Sequence, residues 1–188
     1  MMIGLIGVHG TGKTTLAQEV ADKLGYQFCK TSTSDIYKRL GKDPAARMTF
    51  DERLEVQYAI LNELRIEWQS YAGENAITDR TPIDLMAYTL ADVDSYDALT
   101  EKQEAMLSYY LGNCLGVYIK FFDKLAVLPN ISFDLEETDK LRANLSWGYT
   151  YKLDALLRGI LSANGIEFYS VRSSDLAERV EEIKALFI

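Results

Sequence analysis

Residues 7–14 read Gly7-Val8-His9-Gly10-Thr11-Gly12-Lys13-Thr14. The octet fits G-x-x-x-x-G-K-[ST], the Walker A pattern, and its flanks are those the pattern needs. Ahead of it, Met2-Ile3-Gly4-Leu5-Ile6 is a short apolar run that reads as a buried parallel strand. Behind it, Leu16, Val20 and Leu24 recur on one face of a helix that Gly25 ends. Glycines let such a loop curl until successive N–H groups face one concavity, and the helix dipole adds positive potential there. Lys13 is then placed to reach β- and γ-phosphates, and the Thr14 hydroxyl to sit on Mg²⁺. His9, Gly10, Thr11, Gly12, Lys13, Thr14 and Thr15 are the candidate contacts of a nucleotide's phosphates. His9, the one histidine of the chain, fills a variable loop position and reads as packing or a backbone contact rather than a catalyst.

A chain of 188 residues suits one domain with a substantial core, expected here over 1–188. Its 48% hydrophobic and 26% charged residues are ordinary for a soluble globular protein, and no apolar run approaches the roughly 20 residues of a membrane span. The first strand begins at once, leaving no room for a signal peptide, so a cytoplasmic protein without a membrane partner is expected. Cys29 and Cys114 lack metal-ligand spacing and read as reduced, buried thiols. The net charge of −8 argues against a broad nucleic-acid footprint, although it leaves room for a local basic pocket that takes one small anion. Oligomeric state is open, a homodimer included.

Further along, residues 26–30 form a strand candidate ending in the polar turn 31–34, and residues 35–40 a short helix stopped by Gly41. Thr49 and Glu52 make a capping box that opens a helix to about residue 71. Residues 76–79 read as a strand, after which Thr81 as N-cap and Pro82 at N1 start a helix to about residue 91. Thr100 and Gln103 cap a helix expected to stop near Gly112-Asn113, before a strand at 115–122 rich in β-branched and aromatic residues. An aperiodic excursion follows, read as a lid over about 123–142. A long helix from about residue 139 to 163, a strand at 166–171 and a final helix complete the chain. The order β-α-β-α-α-β-α-α-β-(lid)-α-β-α predicts an α/β three-layer sandwich around a five-stranded parallel sheet. Ligands in such sheets bind beyond the carboxyl ends of the strands. The loop at 7–14, the turn at 31–35, Asp79-Arg80 and residues 121–124 should therefore line one cleft.

Asp79-Arg80 is the second informative feature. A carboxylate at a strand tip can hold Mg²⁺ or accept a proton, and an adjacent arginine can bind phosphate bidentately; the plainer alternative is a loop cap beside a surface ion pair. With the 7–14 loop, Asp79-Arg80 followed by a helix bearing Ala87-Tyr88, and an arginine-bearing lid, the chain resembles the P-loop nucleoside and nucleotide kinases of the thymidylate-kinase-like group. That group includes the nicotinamide-riboside-kinase-like small ATPases classed with AAA domains and kinases of modified pyrimidines. The resemblance runs through nearly the whole chain, yet only the 7–14 motif is specific. It implies the P-loop kinase fold, ATP and Mg²⁺ at the loop with Thr14 and Asp79 as metal ligands, and an acceptor addressed by Asp79 and Arg80. Asp35 is a candidate base or a helix cap. Lys140 and Arg142 are candidate lid cations or a solvated helix face, with Arg142 favoured because a guanidinium spreads over phosphate charge. Arg47 and Arg53 are acceptor-side phosphate ligands or surface charge, and Tyr58, Trp68, Tyr88, Tyr109, Tyr110, Tyr149 and Tyr151 are base-stacking or core residues.

The function expected is ATP-dependent phosphoryl transfer to a small-molecule acceptor, a nucleoside or (deoxy)nucleoside monophosphate. Two alternatives stand beside it: a kinase of a modified pyrimidine of the 5-hydroxymethyl-deoxyuridine type in DNA, and a regulatory NTPase. The Asn-Lys-x-Asp motif of a GTPase is missing, and the chain is short for an AAA-type motor with its added lid domain.

Overall fold

A computed structural model describes residues 1–44, 46–131 and 146–187. β1 (Met2–Ile6) is buried along its whole length, with strands paired on both its edges and apolar clusters against both its faces. The sheet has the order β2-β3-β1-β4-β5, with β2 at Gln27–Cys29, β3 at Ala76–Thr78, β4 at Lys124–Val127 and β5 at Tyr169–Ser170. Every pairing is parallel; Ile3 lies opposite Ile77 on one side and Lys124 on the other. This all-parallel sheet of five strands is the predicted one, and both its faces are covered, as parallel sheets require.

Alternation along β1 sorts the core. Ile3 and Leu5 point into an apolar cluster with Leu16 and Val20 of α1 (Lys13–Leu24) and Val180 and Ile183 of α7 (Leu176–Lys184). Met2 and Ile6 point the other way, into the larger cluster built with α3 (Phe50–Ser70), α4 (Pro82–Val93), α5 (Glu101–Phe121) and α6 (Trp147–Ala163). α2 (Thr33–Arg39) packs on α3 beside this layer, and a 3₁₀ turn at Ala185–Phe187 follows α7. Both cysteines are buried without a disulfide. Among the described residues, no helix is long and apolar enough to cross a membrane.

One element differs in kind from its expectation. Residues 115–122 are not a strand: α5 continues through Gly112 and Gly116 to Phe121, and the strand is β4, four residues within the span expected as the lid. The buried residues of α5, Leu107, Tyr110, Cys114 and Val117, keep a helical period across both glycines. Of the lid expected over about 123–142, residues 132–142 lie outside the described residues, and with them Lys140 and Arg142. The smaller differences are at element ends: α2 starts at Thr33 with Ser32 as its cap, and β5 is two residues long.

Candidate nucleotide-phosphate site

Between β1 and α1 the chain turns through Gly10 (φ 76°) and Gly12 (φ 80°), left-handed conformations that a side chain would strain. Thr11, 1% exposed, donates its hydroxyl to the Val8 carbonyl at 2.9 Å and so ties the loop across itself. Gly12 is the N-cap of α1, whose first N–H groups therefore face the loop's concavity. Lys13 folds back over the loop, donating to the carbonyls of Gly7 at 2.7 Å and Val8 at 2.8 Å. Burial pulls its ammonium down to about 8, with Asp84 and Asp79 opposing the shift and Arg80 adding to it.

Three elements meet at Asp79, which is 8% exposed at the end of β3. Thr14, in the first turn of α1, donates its hydroxyl to Asp79 Oδ2 at 2.5 Å, and Thr31, just past β2, donates to Oδ1 at 3.1 Å. Hydrogen bonds thus join three of the four segments expected to converge, whereas residues 121–124 do not reach the cleft: they precede β4, with Lys124 opposite Ile3 and Asp123 accepting from the Met2 N–H, at the amino end of the parallel sheet. Arg80 turns its guanidinium over the Tyr88 ring at 5.6 Å, and His9 packs against the same ring at 5.0 Å between centroids. Burial pushes the Tyr88 phenol up, so it stays a neutral platform.

Asp35 lies in the first turn of α2, exposed and ion-paired with Lys38 at 3.5 Å; Ser32, not Asp35, caps that helix. A hydrogen bond with Ser32 is the main cause that lowers its carboxyl. Arg53 is held by Asp92 through Nε at 2.9 Å and Nη2 at 2.5 Å, and gives Nη1 to the Tyr37 hydroxyl at 2.7 Å. It forms one wall of a cavity of about 320 Å³, with Arg47, Met48, Asp92 and Tyr96. Of the aromatics, Trp68 and Tyr110 are core, whereas Tyr109 and Tyr151 are exposed.

Two residues of the site escape the sequence reading. Asp84 is wholly buried in the first turn of α4, where its carboxylate accepts from the Thr81 N–H and hydroxyl. The signal was present, since Thr81-x-x-Asp84 is a capping spacing and Asp84, Tyr88 and Asp92 repeat every four residues on one helix face. Arg179 left no signal. A single arginine in an amphipathic helix reads as solvated, yet it is 2% exposed and donates Nη1 to the Thr11 carbonyl at 2.8 Å.

The family model described as "AAA domain" matches residues 2–179. No curated protein matches the sequence. Among solved structures, a deoxyadenosine kinase from M. mycoides with bound dATP has a TM-score of 0.67 at 19% identity, with 100% of this chain and 99% of that one covered. The thymidylate kinase from Candida albicans has a TM-score of 0.63 at 16% identity over 99% of this chain and 90% of its own. A NadR protein in complex with NR has a TM-score of 0.70 at 12% identity; the match takes in 98% of this chain and only 50% of NadR. The chain belongs to the AAA domain family and has the α/β fold of P-loop nucleoside and nucleotide kinases.

Proposed function

We propose that the protein transfers a phosphoryl group from ATP to a nucleoside or (deoxy)nucleoside monophosphate. The observation that carries this reading is Asp79, which hydrogen-bonds Thr14 of the phosphate loop on one oxygen and Thr31 on the other, with Arg80 next to it in sequence. Donor and acceptor half-sites thereby share one carboxylate. The deoxyadenosine kinase, thymidylate kinase and NadR folds support a nucleoside-type acceptor.

The residues fit Mg²⁺: a threonine hydroxyl and a carboxylate oxygen 2.5 Å apart are hard oxygen donors, the type this ion selects. Thr14 and Asp79 would hold it, and when bound it would neutralise charge on the β- and γ-phosphates. The protein's part is positioning and electrostatics. Lys13 exchanges the Gly7 and Val8 carbonyls for phosphate oxygens, and the N–H groups at the start of α1 meet the same anion. Arg80, which rests on Tyr88, would take an acceptor phosphate bidentately. Asp35 and Arg142 are assigned to the acceptor side and the lid on the family resemblance alone.

The test is ADP release from ATP and Mg²⁺ against a panel of nucleosides and monophosphates. At least one acceptor should raise release well above ATP alone, and Lys13→Ala should cut that rate by about 100-fold or more without unfolding the protein. Acceptor-independent release would favour the regulatory NTPase instead, and an unaltered rate in Lys13→Ala would end the kinase reading. Arg80→Ala should raise the acceptor's KM more than it lowers kcat.

A further inference from the structure

Asp84 carries more than its helix cap requires. Its Oδ2 accepts both bonds of the capping box, from the Thr81 N–H at 2.8 Å and the Thr81 hydroxyl at 2.7 Å. Its Oδ1 has no hydrogen-bond partner among the described residues, although the side chain is 0% exposed. An asparagine carbonyl would serve the cap as well and would bury no charge. A carboxylate with an idle oxygen in a dry interior is costly unless neighbouring charges hold it. Those neighbours are Lys13 and Arg80: burial raises the Asp84 carboxyl, and these two cations are the largest influences opposing that rise. The coupling is mutual, because Asp84 is the charge that most favours the Lys13 ammonium, ahead of Asp79. Asp84 also stands one turn before Tyr88, the ring on which Arg80 rests, so the group lies on the helix face turned to the site.

We propose that Asp84 is a positioning residue whose carboxylate stands in for phosphate, supplying the counter-charge that keeps Lys13 and Arg80 converged in the cleft until a nucleotide's phosphates arrive. This rests on the loop being the nucleotide site proposed above. It has a consequence that a purely structural cap lacks. Without the carboxylate, two cations face each other in the empty protein, whereas in the loaded protein the phosphates neutralise them. Removing the charge therefore penalises the empty form more, and by linkage the anion binds more tightly.

The experiment compares wild type with Asp84→Asn, which keeps an acceptor oxygen for Thr81 and drops only the charge. MgADP binding is measured by titration calorimetry and thermal unfolding is followed with and without MgADP. The expected result is a Kd for MgADP that falls by about 3- to 10-fold. The melting temperature of the variant should be lower than wild type without ligand, and MgADP should raise it by about 2 to 4 °C more than it raises wild type. An unchanged or weaker Kd, with an MgADP shift no larger than that of wild type, would overturn the proposal, leaving Asp84 a cap. Should Asp84→Asn show no cooperative transition in buffer, saturating pyrophosphate must restore one; no rescue by pyrophosphate overturns the proposal too. The readout is binding, so a wild type that binds MgADP but phosphorylates no acceptor counts against the kinase reading and not against this one.

Discussion

Arg179 joins the last helix to the phosphate loop and belongs to neither the donor nor the acceptor contacts. It donates Nε to the Ser173 carbonyl at 2.7 Å and Nη1 to the Thr11 carbonyl at 2.8 Å. Burial pulls the guanidinium down, with Glu182 opposing, so the charge is kept at a cost that its bonds must offset. Thr11 is the loop residue that also ties back to Val8, hence its carbonyl fixes the curl that presents the N–H groups. Arg179→Met would remove this donor from the buried Thr11 carbonyl and the part-buried Ser173 carbonyl. It should destabilise the protein by about 2 to 4 kcal/mol in urea unfolding and weaken MgADP binding together with it. A stable variant with full nucleotide affinity would show that the loop holds its shape without this clamp. Much of this site was legible in sequence: Lys13 and Thr14 by motif, Asp79 and Arg80 by their place at a strand end. Arg179 was not, because its value comes from a contact 168 residues away along the chain, which no local spacing encodes.

At the scale of elements, α4 is seated against β1 at one point. Gly4 lies in the middle of β1, and a Cβ there would come within 2.4 Å of Thr81 Cγ2, 2.9 Å of Leu125 Cδ2 and 3.0 Å of Phe122 Cδ1. Thr81 is the cap of α4, so the missing side chain of Gly4 sets how closely the helix that carries Asp84 and Tyr88 can approach the sheet. Gly4→Ala should lower stability by about 1 to 3 kcal/mol through this overpacking. Adding Thr81→Ser, which removes the clashing methyl and keeps the hydroxyl cap, should recover part of that loss; melting temperatures of wild type, the two single variants and the double variant decide it, and purely additive losses would refute the steric account. Close approaches of this kind explain what sequence could not resolve. Capping boxes at Thr49 and Thr100 and the N-cap at Thr81 were legible and each is formed, although the Asp84 half of the box at Thr81 was not read. The end of α5 was not, since Gly112-Asn113 looks like a stop and Leu115 to Phe122 looks like a strand by composition. Tertiary packing of Cys114 and Val117 overrides both signals, and the two glycines, exposed with nothing near an added Cβ, are tolerated there. The true strand, Lys124–Val127, is too short to announce itself beside Pro129.

The whole molecule stores a proton-linked liability in its larger core. Cys29 on β2 and Cys114 on α5 are both 0% exposed, and burial pushes each thiol from about 9 up to about 12. Below pH 9 the folded and unfolded chains both keep these protons, and the two thiols make stability neither rise nor fall with pH. Between pH 9 and pH 12 the unfolded chain releases them while the folded chain retains them, so stability must fall as pH rises. By pH 10.5 each thiol should have cost about 2 kcal/mol, roughly 4 kcal/mol together. Lys13 works in the opposite sense above pH 8, and the buried tyrosines in the same sense as the thiols, so the wild-type profile alone does not isolate the cysteines. A Cys29→Ala/Cys114→Ala double variant does. Its small cavities lower stability at every pH by the same amount, whereas its decline from pH 8 to pH 10.5 should be shallower than that of wild type by about 4 kcal/mol. Urea unfolding at pH 8, 9.5 and 10.5 on both proteins provides the comparison. Parallel declines would mean that the thiols ionise in the folded protein as they do in water, which their burial in the sheet and helix layers forbids.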